Sequence, residues 1–148
     1  MESGDHEALE KKERIRKFGE VFTPPETVND MCDMLTEQDP DAFLPWKTFL
    51  EPCCGDGAFV LEILRRKFAR CRSRKEYTVS LKSLYAMEIQ AVNVKATIDN
   101  VKALCREYFT QTKAEEQIIE EHVIQADSLK IMKMINDMNE RNGSNDDH

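Results

Sequence analysis

Long apolar runs are missing from this 148-residue sequence. No stretch approaches the roughly 20 apolar residues that cross a bilayer. The polar start MESGDHEALEKK lacks the apolar centre of a secretory signal. Both absences lead to the expectation of a soluble, cytoplasmic protein with no membrane contact. A basic excess is missing too, since 28 Asp and Glu against 21 Lys and Arg leave a net charge of −7. Proteins that hold nucleic acid unaided usually carry a basic footprint, so any DNA contact is expected to be local or partner-assisted. The five cysteines, Cys32, Cys53, Cys54, Cys71 and Cys105, include no Cys-x-x-Cys pair. That spacing argues against a disulfide scaffold and against a zinc site. Reduced, mostly buried thiols are expected instead. No repeat of solenoid period occurs.

What remains suits one domain. Hydrophobic residues at 41% and charged residues at 33% supply a modest core and exclude wholesale disorder. Residues 1–17 read as a charged arm or helix, 18–138 as the domain and 139–148 as a polar tail. Thr23-Pro24-Pro25 predicts a helix start with Thr23 as N-cap and Pro24 at the first helical position. Val28, Met31, Cys32 and Leu35 follow at helical spacing, and the helix is expected to end near Gln38. Thr48-Phe49-Leu50 predicts a short strand that stops at Glu51-Pro52. The segment Cys53-Cys54-Gly55-Asp56-Gly57 then leads into a helix with Phe59, Val60, Ile63, Leu64 and Phe68 on its apolar side.

Leu81 to Ile89 predicts a second strand ending on Glu88. A long helix follows, with Val94, Ile98, Val101, Cys105 and Tyr108 on one face. Glu121 to Ala126 predicts a third strand ending on Asp127, and a last helix carries Leu129, Met132, Ile135 and Met138. Strand alternating with helix implies a parallel α/β sheet with right-handed crossovers. Between Arg65 and Lys75 seven of eleven residues are basic. Cations suit a helix C-terminus, and this run lies at the end of the sheet opposite to the one where open parallel sheets bind ligands. It is therefore expected to be structural rather than a nucleic-acid patch.

The Gly55-Asp56-Gly57 loop, Glu88 and Asp127 fall at the carboxyl ends of three successive strands, where open α/β sheets bind ligands. Glycines let backbone approach a ligand and tolerate positive φ. An acid at the end of the second strand can accept from both ribose hydroxyls, and an acid after the third from an exocyclic adenine amine. A dinucleotide site wants Gly-x-Gly-x-x-Gly, and here the third glycine is missing. Asp56 would repel a phosphate but accept from an ammonium. No Gly-Lys-Ser/Thr follows, which removes a P-loop. The pattern favours a cationic, phosphate-free nucleoside, S-adenosylmethionine, over NAD.

At these residues the chain resembles the adenine-N6 DNA methyltransferases of restriction-modification type. Glu51-Pro52-Cys53-Cys54-Gly55-Asp56-Gly57-Ala58-Phe59 is similar to that family's cofactor loop, acid-Pro-small-Cys/Ala-Gly-x-Gly-x-Phe. Gly19-Glu20-Val21-Phe22-Thr23-Pro24-Pro25 resembles its amino-terminal motif, Met87-Glu88-Ile89 its acidic second-strand motif and Ala126-Asp127-Ser128-Leu129 its third. The four lie in order over about residues 18–130. The resemblance implies a partial Rossmann-like methyltransferase fold, three parallel strands in the order 3-2-1 with flanking helices. It implies that Phe22, Thr23 and Pro24 cover the methionine end of S-adenosylmethionine and that Glu51, Cys54, Gly55 and Gly57 shape its loop. Glu88 would hold the ribose hydroxyls, Ile89 would pack on adenine, and Asp127 would accept from the adenine amine beside Ser128.

The family also carries an Asn/Asp-Pro-Pro-aromatic motif that holds the flipped target adenine. No such run occurs in this sequence, whose only Pro-Pro is Pro24-Pro25. No catalytic residue and no metal ligand is therefore assigned. The resemblance implies the cofactor-binding portion of a site-specific adenine-N6 DNA methyltransferase that needs a partner for the missing motif. The alternative is a non-catalytic S-adenosylmethionine-binding regulatory or interaction module. In either case the first strand is expected at an open sheet edge, covered by a second copy or by a partner chain. His122 falls at the start of the third strand, away from the site, and is expected to be structural.

Overall fold

A computed structural model describes residues 22–52 and 54–145. The charged arm, the Gly19-Glu20-Val21 part of the amino-terminal motif, Cys53 and the last three residues lie outside the described residues. Three parallel strands, β1 (Phe49–Glu51), β2 (Leu84–Glu88) and β3 (Val123–Gln125), form one sheet in the order β1-β2-β3. Leu50 pairs with Tyr85, and Met87 with Ile124. The expected parallel α/β arrangement, with the first strand at an edge, is what the chain adopts.

Helix α1 (Pro25–Gln38) opens the described chain. It begins one residue later than expected, with Pro24 rather than Thr23 at the N-cap position. The cause is local, because a residue followed by proline is kept out of the α region, and Pro24 is extended at φ −60°, ψ 147°. Thr23 is thus not a helix cap. Val28 and Cys32 bury against the core as the spacing predicted.

Helix α2 (Ala58–Ala69) buries Val60, Ile63, Leu64, Lys67 and Phe68. Helix α3 (Arg74–Lys82) is a correction to the expected strand, because Leu81 and Lys82 end this helix and β2 starts only at Leu84. Helix α4 (Ala91–Arg106) is the long helix expected after β2. Helix α5 (Lys113–His122) is a second correction, placing Glu121 and His122 in its last turn rather than in β3. Helix α6 (Ser128–Asn145) continues through residues 139–145, which were expected to be tail. Of these, α2 packs against α1, α3 and α4, while α3, α4 and α5 contact the sheet. Phe68 sits at the centre of an aromatic cluster with Tyr77, Tyr108 and Phe109, ring centroids 5.1–5.9 Å away.

Four cations of the basic run, Arg66, Lys67, Arg70 and Arg74, are taken up by contacts within the fold. Lys67 is fully buried and donates its Nζ protons to the carbonyl oxygens of Leu44, Pro45 and Lys47. Burial lowers its pKa to about 8. Arg66 pairs with Asp33 and Glu62, Arg70 with Asp41, and Arg74 with Glu115. These cations fasten the 39–47 loop, α1 and α5 to α2 and α3. Cys32 and Cys105 are free thiols in the core, and burial raises both pKa values, that of Cys105 to about 12. Among the described residues no helix is long and apolar enough to cross a membrane.

Candidate functional site

The turn between β1 and α2 is built on two left-handed glycines. Gly55 has φ +54° and Gly57 has φ +99°, and Gly57 is the N-cap residue of α2. Side chains rarely adopt such angles, so the Gly-x-Gly spacing is a backbone requirement of this turn. The amide of Cys54 donates to Met87 O (2.9 Å) and that of Gly57 to Cys54 O (2.8 Å). The turn is thereby pinned over the end of β2. A methyl group built on Gly55 would meet the Phe22 ring at 3.4 Å. The Phe22 ring therefore lies beside Gly55.

Glu88 closes the arrangement from below. It is buried, and its Oε2 accepts from Gly55 N–H at 2.9 Å while its Oε1 accepts from Gln90 N–H at 3.2 Å. A carboxylate has about four acceptor positions, so each oxygen retains capacity for a further donor. Ile89, the next residue, is exposed. Asp127 stands one strand over, since Ala126 N–H donates to Glu88 O (3.0 Å). Its Oδ1 accepts from Leu129 N–H (3.1 Å) and Lys130 N–H (3.3 Å), the geometry of an N-cap at the start of α6. Ser128 opens that helix.

The structure thus brings Phe22, Gly55, Gly57 and Glu88 into one constellation, with Ile89 and Asp127 at adjoining strand ends. Cys54 serves differently, buried in the core with its Sγ 3.7 Å from Thr97 Oγ1. Glu51 is half-buried at the end of β1. Asp56 is exposed and borders a groove of about 270 Å³ with Pro25, Val28, Asn29, Leu61 and Asn100. Glu88, Ile89 and Asp127 do not border that groove. His122 is structural in its contacts, with Nδ1 3.1 Å from Leu84 O and its ring stacked on Tyr85.

Sequence reasoning missed the residues that brace the loop from α4. Thr97 Oγ1 donates to Gly55 O (3.1 Å), and Asn100 Nδ2 donates to Asp56 O (3.1 Å). A methyl on Gly57 would lie 3.1 Å from Thr97 Cγ2. The available signal was periodic, because Asn93, Thr97 and Asn100 stand at i, i+4 and i+7 beside the apolar stripe. Thr97 and Asn93 are nonetheless fully buried. Buried polar groups need partners, and for Thr97 the partner is the glycine loop.

Over 89 residues the chain is 29% identical to the type II methyltransferase M.VspI of Vibrio sp. (strain 343). The match takes in 60% of this chain and 18% of that protein, so the chain spans under a fifth of the length of the relative it matches. This similarity supports a methyltransferase relationship. No protein-family model matches the chain, and no solved structure matches it.

Proposed function

We propose that this chain is the S-adenosylmethionine-binding portion of a site-specific adenine-N6 DNA methyltransferase. The observation that carries the reading is the turn from Cys54 to Gly57, with two left-handed glycines, the Gly55 amide on Glu88 and Phe22 against it. The similarity to a type II methyltransferase supports the same reading. A pocket for a nucleoside needs a turn without side chains, an acid at the ribose and an apolar contact for the base. Gly55 and Gly57, Glu88 and the exposed Ile89 fit those needs in type.

In this reading Phe22, Thr23 and Pro24 cover the methionine end and Asp56 accepts from its ammonium. Asp127 and Ser128 receive the adenine amine. When bound, the cofactor supplies a methyl group on a sulfonium. The chain's own residues orient that methyl, and orientation alone is worth up to ~7–11 kcal/mol of a barrier. In this reading the Asn-Pro-Pro-aromatic motif and the DNA contacts come from a partner, seated at β1, the terminal strand among the described residues. The second reading is a regulatory module that binds the cofactor without catalysis.

Titration calorimetry of the whole chain with S-adenosylmethionine tests the proposal. One site per chain is expected, with the heat lost in Glu88→Ala and Asp56→Ala variants that keep the wild-type circular dichroism. A folded wild-type protein that gives no heat overturns the reading. Labelled methyl transfer to DNA by the chain alone overturns the need for a partner.

A further inference from the structure

Helical hydroxyls elsewhere in this chain turn back on their own helix. Thr36 Oγ1 donates to Cys32 O (3.1 Å) and Ser80 Oγ to Glu76 O (2.9 Å), each four residues back. Thr97, in α4, gives its proton elsewhere. Its Oγ1 donates to Gly55 O (3.1 Å), 42 residues earlier in the chain. The side chain is fully buried, and Oγ1 lies 3.7 Å from the Cys54 Sγ. A hydroxyl has one proton to give, so this donor is committed to the turn.

That bond fixes a peptide plane. The unit joining Gly55 to Asp56 is trans, so the Gly55 carbonyl and the Asp56 N–H point in opposite directions. With the carbonyl held on α4, the Asp56 N–H faces away from that helix. It has no hydrogen-bond partner among the described residues. Asn100, one turn further along α4, holds the next carbonyl, with Nδ2 3.1 Å from Asp56 O. Glycine populates both halves of φ, so an untethered Gly-x-Gly turn is free to rotate its planes. A rotated Gly55–Asp56 plane would offer a carbonyl oxygen where the tethered one offers a donor.

We infer that Thr97 is a positioning residue of the proposed cofactor site, a role that rests on that reading. Its hydroxyl keeps the Gly55–Asp56 plane turned so that the Asp56 N–H is offered to an acceptor atom on the ligand. The γ-methyl serves a separate end, lying 3.1 Å from the place a methyl on Gly57 would occupy. Hydroxyl and methyl are therefore separable by substitution. Thr97→Val keeps the shape and removes the donor, and Thr97→Ser keeps the donor and removes the methyl.

Two measurements on the full chain test this role. In the free protein, the nuclear magnetic resonances of the Gly55 carbonyl carbon and the Asp56 amide are expected to move in Thr97→Val and to return in Thr97→Ser. Calorimetric titration with S-adenosylmethionine is expected to show about tenfold weaker binding in Thr97→Val, the equivalent of one hydrogen bond, and near wild-type binding in Thr97→Ser. Thr97→Ala, which also lacks the donor, gives the same comparison where Thr97→Val fails to fold. Resonances unmoved in the donor-free variant overturn the inference. So does a loss of affinity in Thr97→Ser as large as in Thr97→Val, since that pattern follows packing and not the hydroxyl. Equal affinity of wild type and Thr97→Val overturns it and leaves the cofactor reading standing. A wild type that gives no heat overturns the cofactor reading, and the ligand role of Thr97 with it.

Discussion

Gly57 carries more of this structure than its size suggests. At φ +99° a side chain is strained, and an added methyl would also press on Thr97 Cγ2 at 3.1 Å. Positions of this kind cost of order 1–3 kcal/mol when a non-glycine occupies them. Gly57→Ala is therefore expected to lower unfolding stability by about 2 kcal/mol in urea titrations. Gly57→Ala combined with Thr97→Ser, which removes the crowding methyl, should recover part of that loss. Glu88 is the second residue on which the turn depends. Its two oxygens satisfy two backbone amides, so a shortened side chain leaves donors unpaired in a buried place, at about 1–3 kcal/mol. Structural and binding roles thus meet in one carboxylate.

Helix α5 shows how elements were and were not legible. Ala114, Ile118 and Ile119 alone break its polar run, so apolar periodicity gave no signal. The signal lay in Thr112 and Glu115, a capping box in which each side chain takes the other's amide. Helix α3 was hidden for the opposite reason. Tyr77, Thr78 and Val79 are strand-prone and run into the true strand, and the helix is decided by tertiary contacts, Tyr77 on Phe68 and Arg74 on Glu115. By contrast, the Gly-x-Gly turn, Glu88 and the stripe of α4 were readable, because backbone need and helical spacing are written locally. Thr97 and Asn100 were not, because their partner is a loop some forty residues earlier in the chain.

Glu115 also gives the elements a pH dependence. The Arg74 guanidinium holds its carboxyl down to about 2, opposed by burial and helped by Thr112 and Thr78. A carboxyl that is lower in the folded state adds stability above its unfolded pKa near 4.5 and loses it as pH falls toward 2. Arg74 is half exposed, so solvent screens the pair and the loss is about 2 kcal/mol. Urea midpoints at pH 6 and pH 3 should differ accordingly, and Arg74→Met should remove most of the contribution from this site.

At the scale of the whole molecule, the described residues form a three-stranded parallel sheet packed on helices, with β1 first in the strand order β1-β2-β3. The chain's charge balance is −7, with no basic excess. In the proposed reading, cofactor positioning belongs to the carboxyl ends of the strands. The similarity to a type II methyltransferase covers 60% of the chain and supports a methyltransferase relationship. The most direct test of the central claim is amide chemical-shift mapping of the labelled chain titrated with S-adenosylmethionine. The account predicts saturable shifts at Gly55, Gly57, Ile89, Gln90 and Ser128, with the amides of α3 unmoved. Saturable shifts confined to other parts of the molecule, or none at all, would contradict it.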